Sequence, residues 1–350
     1  MNHKAILAKF AAELRSRSTA RVVFECGVFL AIGLLILVGN AMTLFIVYKN
    51  RQLRTVPNLF IVSLSFSDIG MGLLVLPMCF SVNVVGYWPF GDAACQYNGF
   101  VAVSLALASV QFLACTSVNR YFSVVKPNKY RKYFTMKSTK LGIVLVWVYA
   151  DMATIPYLLS GNRMVFHPGK FCYLEIEVAW YTALTVSLYI GIPTSVTLYC
   201  YLRVFQAVHR HNKQFSQSRG SSNNLSVEEI KITRTLFVVM LVYMTCWTPI
   251  LIIDLIDTGR GYWSMKREVY IIYGFLATLI SATNPIIYGL MNPQFKKEYL
   301  KIMQCVLCRR NMSSVTAIAS VNASNSRSRQ ENSNLAIQSV VAAKVVVQNL

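Results

Sequence analysis

Acidic residues are scarce in this chain: 14 Asp and Glu stand against 34 Lys and Arg, and charged residues of both signs make up only 14% of it. Soluble domains carry about 25% charged residues, so a chain this poor in charge and 55% hydrophobic does not read as one. Histidine is rare too, at four, and no His/Cys cluster has the spacing of metal ligands. There is no internal repeat, no ring of charge, and no nucleophile, acid and base at one depth. Paired-repeat transporters, channels and membrane enzymes are disfavoured by those absences. No cleavable signal peptide is evident, because MNHKAILAKFAAELRSRSTAR has only a short apolar patch and no clear small-residue cleavage site.

What the chain does have is seven long apolar blocks, at about 22–48, 57–83, 93–125, 139–160, 179–209, 229–256 and 267–291. Each is long enough to cross about 30 Å of hydrocarbon at about 1.5 Å per helical residue. Each must be helical, since lipid offers the backbone no partner. The loops after blocks one, three and five, the block ends that border them and the C-terminal region together hold 24 of the 34 Lys and Arg. The acids there are only Glu228, Glu229, Glu298 and Glu331. The positive-inside rule places that side in the cytoplasm and the tail at 1–21 outside, in a multi-pass plasma-membrane protein. The basic excess then needs no nucleic acid, and anionic membrane lipid is its expected partner.

The expected fold is an all-α membrane protein, a seven-transmembrane helix bundle over 22–292 with a C-terminal amphipathic surface helix at 293–304. That last helix is PQFKKEYLKIM and its end, where apolar and basic residues alternate at helical spacing. The tail at 1–21 reads as a short amphipathic helix on the outer surface. His211 opens HNKQFSQSRGSSNN, which reads as a flexible linker. Residues 305–350, rich in Ser and Asn, are expected to be disordered, with serines able to accept phosphate.

Cys95, at the outer start of block three, and Cys172, in the loop between blocks four and five, both meet an oxidising compartment. A disulfide between them would tie the long outer loop to a helix end, and is favoured over two free thiols. Cys305 and Cys308, in KIMQCVLCRR, face the reducing side, where S-palmitoylation competes with unmodified thiols. The other five cysteines lie within helices and read as small apolar fillers.

Polar residues inside the blocks are expensive in lipid and should face one another or water. They are Asn40 in LVGNAM, Asp68 in LSFSDIG, Arg120 in SVNRYF and Asn284 in SATNPIIY. Asp151, one turn after Trp147, needs a partner or a proton as well. Pro193, Pro249 and Pro285 each remove a helix hydrogen bond and can kink their helices. Kinked helices with polar centres can have two packings of similar energy, which suits a switch.

The ordered set of NRY, CWTP and NPIIY, with a polar residue in almost every block and the cysteine pair, resembles the rhodopsin-like G-protein-coupled receptors over about 22–305. The resemblance implies an outer half that binds an extracellular agonist and an inner half that admits a heterotrimeric G protein. Arrestin engagement through the Ser-rich tail is implied too. It assigns Asn119, Arg120 and Tyr121 to the inner switch with Tyr201 and Tyr288, and Trp247 with Pro249 to the pivot of the sixth helix. Most relatives carry an acid where Asn119 stands. Glu229, 20 residues before Pro249, falls at the inner end of block six, where relatives hold an acid against the arginine; a surface acid is the alternative. Asp68, Ser109, Ser281 and Asn284 match the family's sodium pocket, with Asn40 beside them, and Ile280 stands where a further polar ligand often sits. Beyond an allosteric sodium ion no cofactor is implied, and a water-filled polar cluster is the alternative.

Ligand class is narrowed by three positions. Amine receptors carry Asp 18 residues before the motif arginine, where this chain has Ala102; opsins carry lysine seven residues before the NPxxY proline, where it has Thr278. NLFIVSLSFSD, NRY, YCYLRVF and IIYGLMNPQFKKEYLKI are similar to melatonin receptors and their orphan relatives. Those receptors usually have NAxxY where NPIIY stands, and His where Tyr189 stands. The implied pocket comprises Asn98, Ala102, Val103, Ala106, Thr185, Tyr189, Trp247, Ile250, Leu251, Asp254, Tyr270 and Gly274. Mostly apolar, it suits a small, largely neutral or aromatic ligand such as melatonin. A peptide-activated orphan receptor, greeting a basic peptide at Asp254 and Asp257, is one alternative, with a solvated loop edge as the plainer reading of both acids. An opsin-like protein lacking the retinal lysine is the other.

Overall fold

Ser18 starts the first long helix, its hydroxyl accepting from the Arg21 N–H, and Asn50 ends it with an amide oxygen that accepts from Gln52. The computed structural model describes residues 3–169, 172–175, 179–217 and 227–304. Its seven helices long and apolar enough to cross a membrane are Thr19–Lys49, Val56–Val85, Gly91–Val125, Met136–Leu159, Trp180–Arg210, Lys231–Arg260 and Arg267–Met291. These are the first to seventh spans below. Pro57 opens the second, where its missing N–H costs nothing, and a Thr135–Ser138 capping box opens the fourth. Leu30, Leu34, Val38, Leu141, Val144 and Val148 are exposed while Asn40, Asp68, Asn119 and Asn284 are buried. Apolar outside and polar inside is the arrangement lipid demands.

The third span packs against the second, fourth and fifth; the first against the second and seventh; the sixth against the seventh. Prolines explain the irregularities. Wide π turns at Met71–Val75 and Val186–Gly191 precede Pro77 and Pro193, relieving the ring's clash with the preceding turn. Pro193 cannot donate to the Tyr189 carbonyl, and Gln111 from the third span donates to it instead at 2.8 Å. Pro285 likewise releases the Ser281 carbonyl, to which Asn40 donates at 3.0 Å. The sixth and seventh spans stay helical through Pro249 and Pro285.

Between the fourth and fifth spans, β1 (Met164–Phe166) pairs antiparallel with β2 (Cys172–Leu174), Val165 opposite Tyr173. Cys95 and Cys172 form a disulfide. This hairpin presses so close on the third span that a Cβ on Gly99 would fall 2.9 Å from the Cys172 carbonyl oxygen.

Two expectations change. The helix His3–Arg15 in the N-terminal tail does not lie on a surface: Ile6, Phe10 and Leu14 are buried, and Ile6 and Phe10 pack with Ile250, Ile253, Trp263, Tyr270 and Tyr273. The fifth-span helix runs on as Ile192–Gln217, so the first half of the expected linker is helical. Residues 293–304 are helical, started by Asn292, whose amide oxygen accepts from the Gln294 N–H. The Glu229 side chain, Cys305, Cys308 and the rest of 305–350 lie outside the described residues.

Candidate functional site

The spans converge at the hairpin end on a cavity between their side chains. Ala102, Val103, Ala106, Thr185, Trp247, Ile250 and Gly274 line it. The walls are mostly apolar. Its polar fixtures are Thr182, Thr185, Thr278, Tyr173 and Tyr273, and the Thr185 hydroxyl is buried with no hydrogen-bond partner. Thr278 donates to the Gly274 carbonyl, so this wall carries a hydroxyl and no amine.

Five other expected pocket residues lie outside that lining. Tyr189 falls within the π turn, which hands the wall to Ile190, and stacks on Tyr149 with ring centroids 4.4 Å apart. Asn98 donates to the Val75 carbonyl of the other π turn at 3.4 Å. Leu251 is half-buried beside the lining. Tyr270 belongs to the cluster under the N-terminal helix, and Asp254 to a rim above the cavity. Conversely, Met71, Val75, Leu76 and Cys79 of the second span line the cavity, as do Tyr173 and Leu174 of β2. Pro77 and the alternating β2 sequence were the available signals for them.

The rim acids are not a solvated loop edge. Asp254 is buried and accepts from Tyr273 at 2.9 Å and Tyr173 at 3.4 Å. Burial, with Asp254 beside it, pushes the Tyr173 phenol well above its usual range, which keeps it a donor. Asp257 is buried as well, and accepts from Tyr270 at 2.7 Å and from the Ser264 hydroxyl at 2.8 Å.

A second buried cluster, which the sequence reading missed, holds the N-terminal helix in place. Glu25, 3% exposed, pairs with Arg17 at 2.5 Å, Arg21 at 2.9 Å and Arg267 at 3.3 Å. Arg17 also donates to the Asn83 and Leu14 carbonyls, and Arg267 to the Pro168 carbonyl. The cluster thus joins the tail, the first, second and seventh spans and the hairpin. A lone acid in an apolar block, four and eight residues after arginines, was its signal.

In mid-bundle, Asn284 donates to Asp68 at 2.9 Å, and Ser281 also bonds that carboxylate. Ser109 donates to its own helix at Leu105. The second Asp68 oxygen is buried with no hydrogen-bond partner. Arg120 is not part of this group; it is buried at the far end, within electrostatic reach of Tyr201, whose ring lies 5.9 Å from Phe237. Asn119 is fully buried with neither amide atom hydrogen-bonded. Tyr121 packs on Phe122 and Tyr199, and the Tyr288 ring lies tilted against Phe295 with centroids 5.9 Å apart. Asp151 is half-buried at the end of a helix, its carbonyl accepting from Thr154.

Comparison with known proteins agrees with this anatomy. The family model "7 transmembrane receptor (rhodopsin family)" matches residues 39–288. Melatonin receptor type 1B-B of Danio rerio is 26% identical over 294 residues, covering 83% of this chain and 84% of the relative. Melatonin receptor type 1C of Gallus gallus is 28% identical, covering 76% and 77%. Melanopsin-B of Xenopus laevis is 30% identical, covering 82% of this chain and 56% of the relative. With seven spans, a hairpin disulfide-bonded to the third of them and the NRY, CWTP and NPIIY sequences in order, this chain belongs to the rhodopsin family of seven-transmembrane receptors.

Proposed function

We propose that the receptor binds an extracellular small molecule, largely neutral and aromatic like melatonin, in the cavity under the hairpin, and in response activates a heterotrimeric G protein. The observation that carries the ligand class is the mostly apolar wall, with an unpartnered hydroxyl at Thr185 and no carboxylate among the described lining residues. Such a site orients an apolar molecule by one or two hydrogen bonds. Asp254 and Asp257 already accept from internal donors, which disfavours a basic peptide. Thr278 gives retinal no amine for a Schiff base, which disfavours an opsin.

In this reading the hairpin end is extracellular and the Arg120 end cytoplasmic. Ligand against Trp247 shifts the sixth span, whose helix passes from the cavity floor toward the Arg120 end. Glu229 would hold Arg120 in the unliganded state, and its release would open a cleft for the G protein. Asp68, Ser109, Ser281 and Asn284 suit a sodium ion, because one carboxylate oxygen is left without a hydrogen bond; bound there, the ion would supply positive charge that favours one packing over the other. Cys305 and Cys308 would carry lipid, and the serine-rich tail would recruit arrestin.

The test is G-protein activation in cells expressing the chain, against indoleamines, amines, lipids and peptides with an empty-vector control. A response to melatonin or a related indole, lost in Thr185→Val, supports the reading. A response confined to peptides or to retinal with light overturns its ligand half.

A further inference from the structure

At the Arg120 end, the third, fourth and fifth spans leave a groove on the outside of the bundle. Its walls are largely apolar, with Phe60, Ala114, Val118, Phe134 and Gly142 among them. Among its few polar lining groups, which include Gln111, Ser138 and Tyr149, one stands apart. Thr139 is only 4% exposed, yet its hydroxyl has no hydrogen-bond partner. A threonine in a helix ordinarily returns that hydroxyl to a carbonyl of the preceding turn, and one that does not is left for an incoming acceptor.

The charge beside the groove has one sign. Lys126, Lys129, Arg131, Lys132, Lys137 and Lys140 are all exposed, and no acid occurs between Asp92 and Asp151. Lys137 and Lys140 flank the groove residues Ser138 and Thr139, and Lys132 lies 5.7 Å over the ring of Tyr133, another lining residue. A greasy trough ending in a buried hydroxyl and a rim of lysines matches a diacyl lipid with a negative headgroup. A sterol would use the hydroxyl and leave the lysines idle, and a zwitterionic lipid would gain little from them.

We propose that this groove binds one anionic phospholipid. An acyl chain lies along Ala114, Val118 and Gly142, a glycerol-ester oxygen accepts from Thr139, and the headgroup sits among Lys132, Lys137 and Lys140. Nothing in this depends on which ligand fills the cavity at the other end, or on which side of the membrane the loop faces.

Native mass spectrometry of the full-length receptor, extracted from nanodiscs of phosphatidylcholine mixed with a minority of phosphatidylserine, tests it. The parent should retain a single phosphatidylserine, several-fold enriched over its share of the bilayer. Gly142→Trp projects into open space, since a Cβ there meets no atom within 4 Å, and should cut that retention several-fold. Lys137→Gln with Lys140→Gln, and the near-isosteric Thr139→Val, should do the same, whereas Lys296→Gln with Lys297→Gln should not. Retention of both lipids in bilayer proportion would mean annular lipid only and overturn the proposal. Enrichment that survives both Gly142→Trp and Thr139→Val would mean loose surface attraction and overturn it equally.

Discussion

The two ends of the bundle treat their buried polar groups differently. At the hairpin end, Glu25 holds three arginines, Asp254 and Asp257 accept from tyrosines, and a disulfide fastens the hairpin. At the Arg120 end, both amide atoms of Asn119 and the hydroxyls of Thr233 and Thr139 are buried without hydrogen-bond partners. Each such group costs about 1–3 kcal/mol relative to a satisfied one. The second end therefore has more to gain by admitting new polar partners than the ion-paired and disulfide-fastened part of the first has by rearranging. The hairpin end is not free of such groups: the Thr185 hydroxyl lining the ligand cavity and the Asn98 amide oxygen are buried there without hydrogen bonds, as a binding site would require.

The contrast breaks most visibly at Glu25. Glu25→Gln leaves Arg17 and Arg267 buried without their acid, and should cost about 3–5 kcal/mol, read as a marked fall in the melting temperature of the purified receptor. An unchanged melting temperature would mean the cluster does not hold that end together. Cys172→Ser should cost about 2–5 kcal/mol by freeing the hairpin, seen as lower surface expression and earlier melting.

Ala106→Phe probes the cavity alone. It should weaken agonist response by about tenfold or more, equivalent to about 1.4 kcal/mol, with surface level preserved; undiminished potency would place the ligand elsewhere. The smallest effects belong to the loose end. Asn119→Asp sets an acid beside Arg120 and should lower ligand-free signalling by about two- to fivefold, or about 0.4–1 kcal/mol. Glu229→Ala should raise ligand-free signalling, and a flat basal level in both variants would remove the switch from this end.

Much of this anatomy is legible in hydropathy, because a span must be apolar over a fixed length whatever its neighbours do. The seven blocks and the cysteine pair follow from that and from compartment. What escapes is anything that depends on helical phase. Tyr189 and Ile190 are adjacent in sequence, and only the widened turn before Pro193 decides which of them meets the cavity. The amides that answer prolines are equally hidden, since Asn40 and Gln111 donate to carbonyls released in other spans. The tail misled for a different reason. Ile6, Phe10 and Leu14 form a correct amphipathic stripe, but periodicity names a buried face without naming what buries it.

Glu25 and Arg267 are 242 residues apart, and the ribosome makes them in that order. An acid threaded into the membrane with the first span gains its seventh-span arginine only when the last span arrives. Until then Glu25 is held by Arg17 and Arg21 alone, and the tail lacks the ion pair that ties it to the seventh span. The seventh span therefore closes the cluster last, and with it the tail and the two ends of the bundle's sequence are joined.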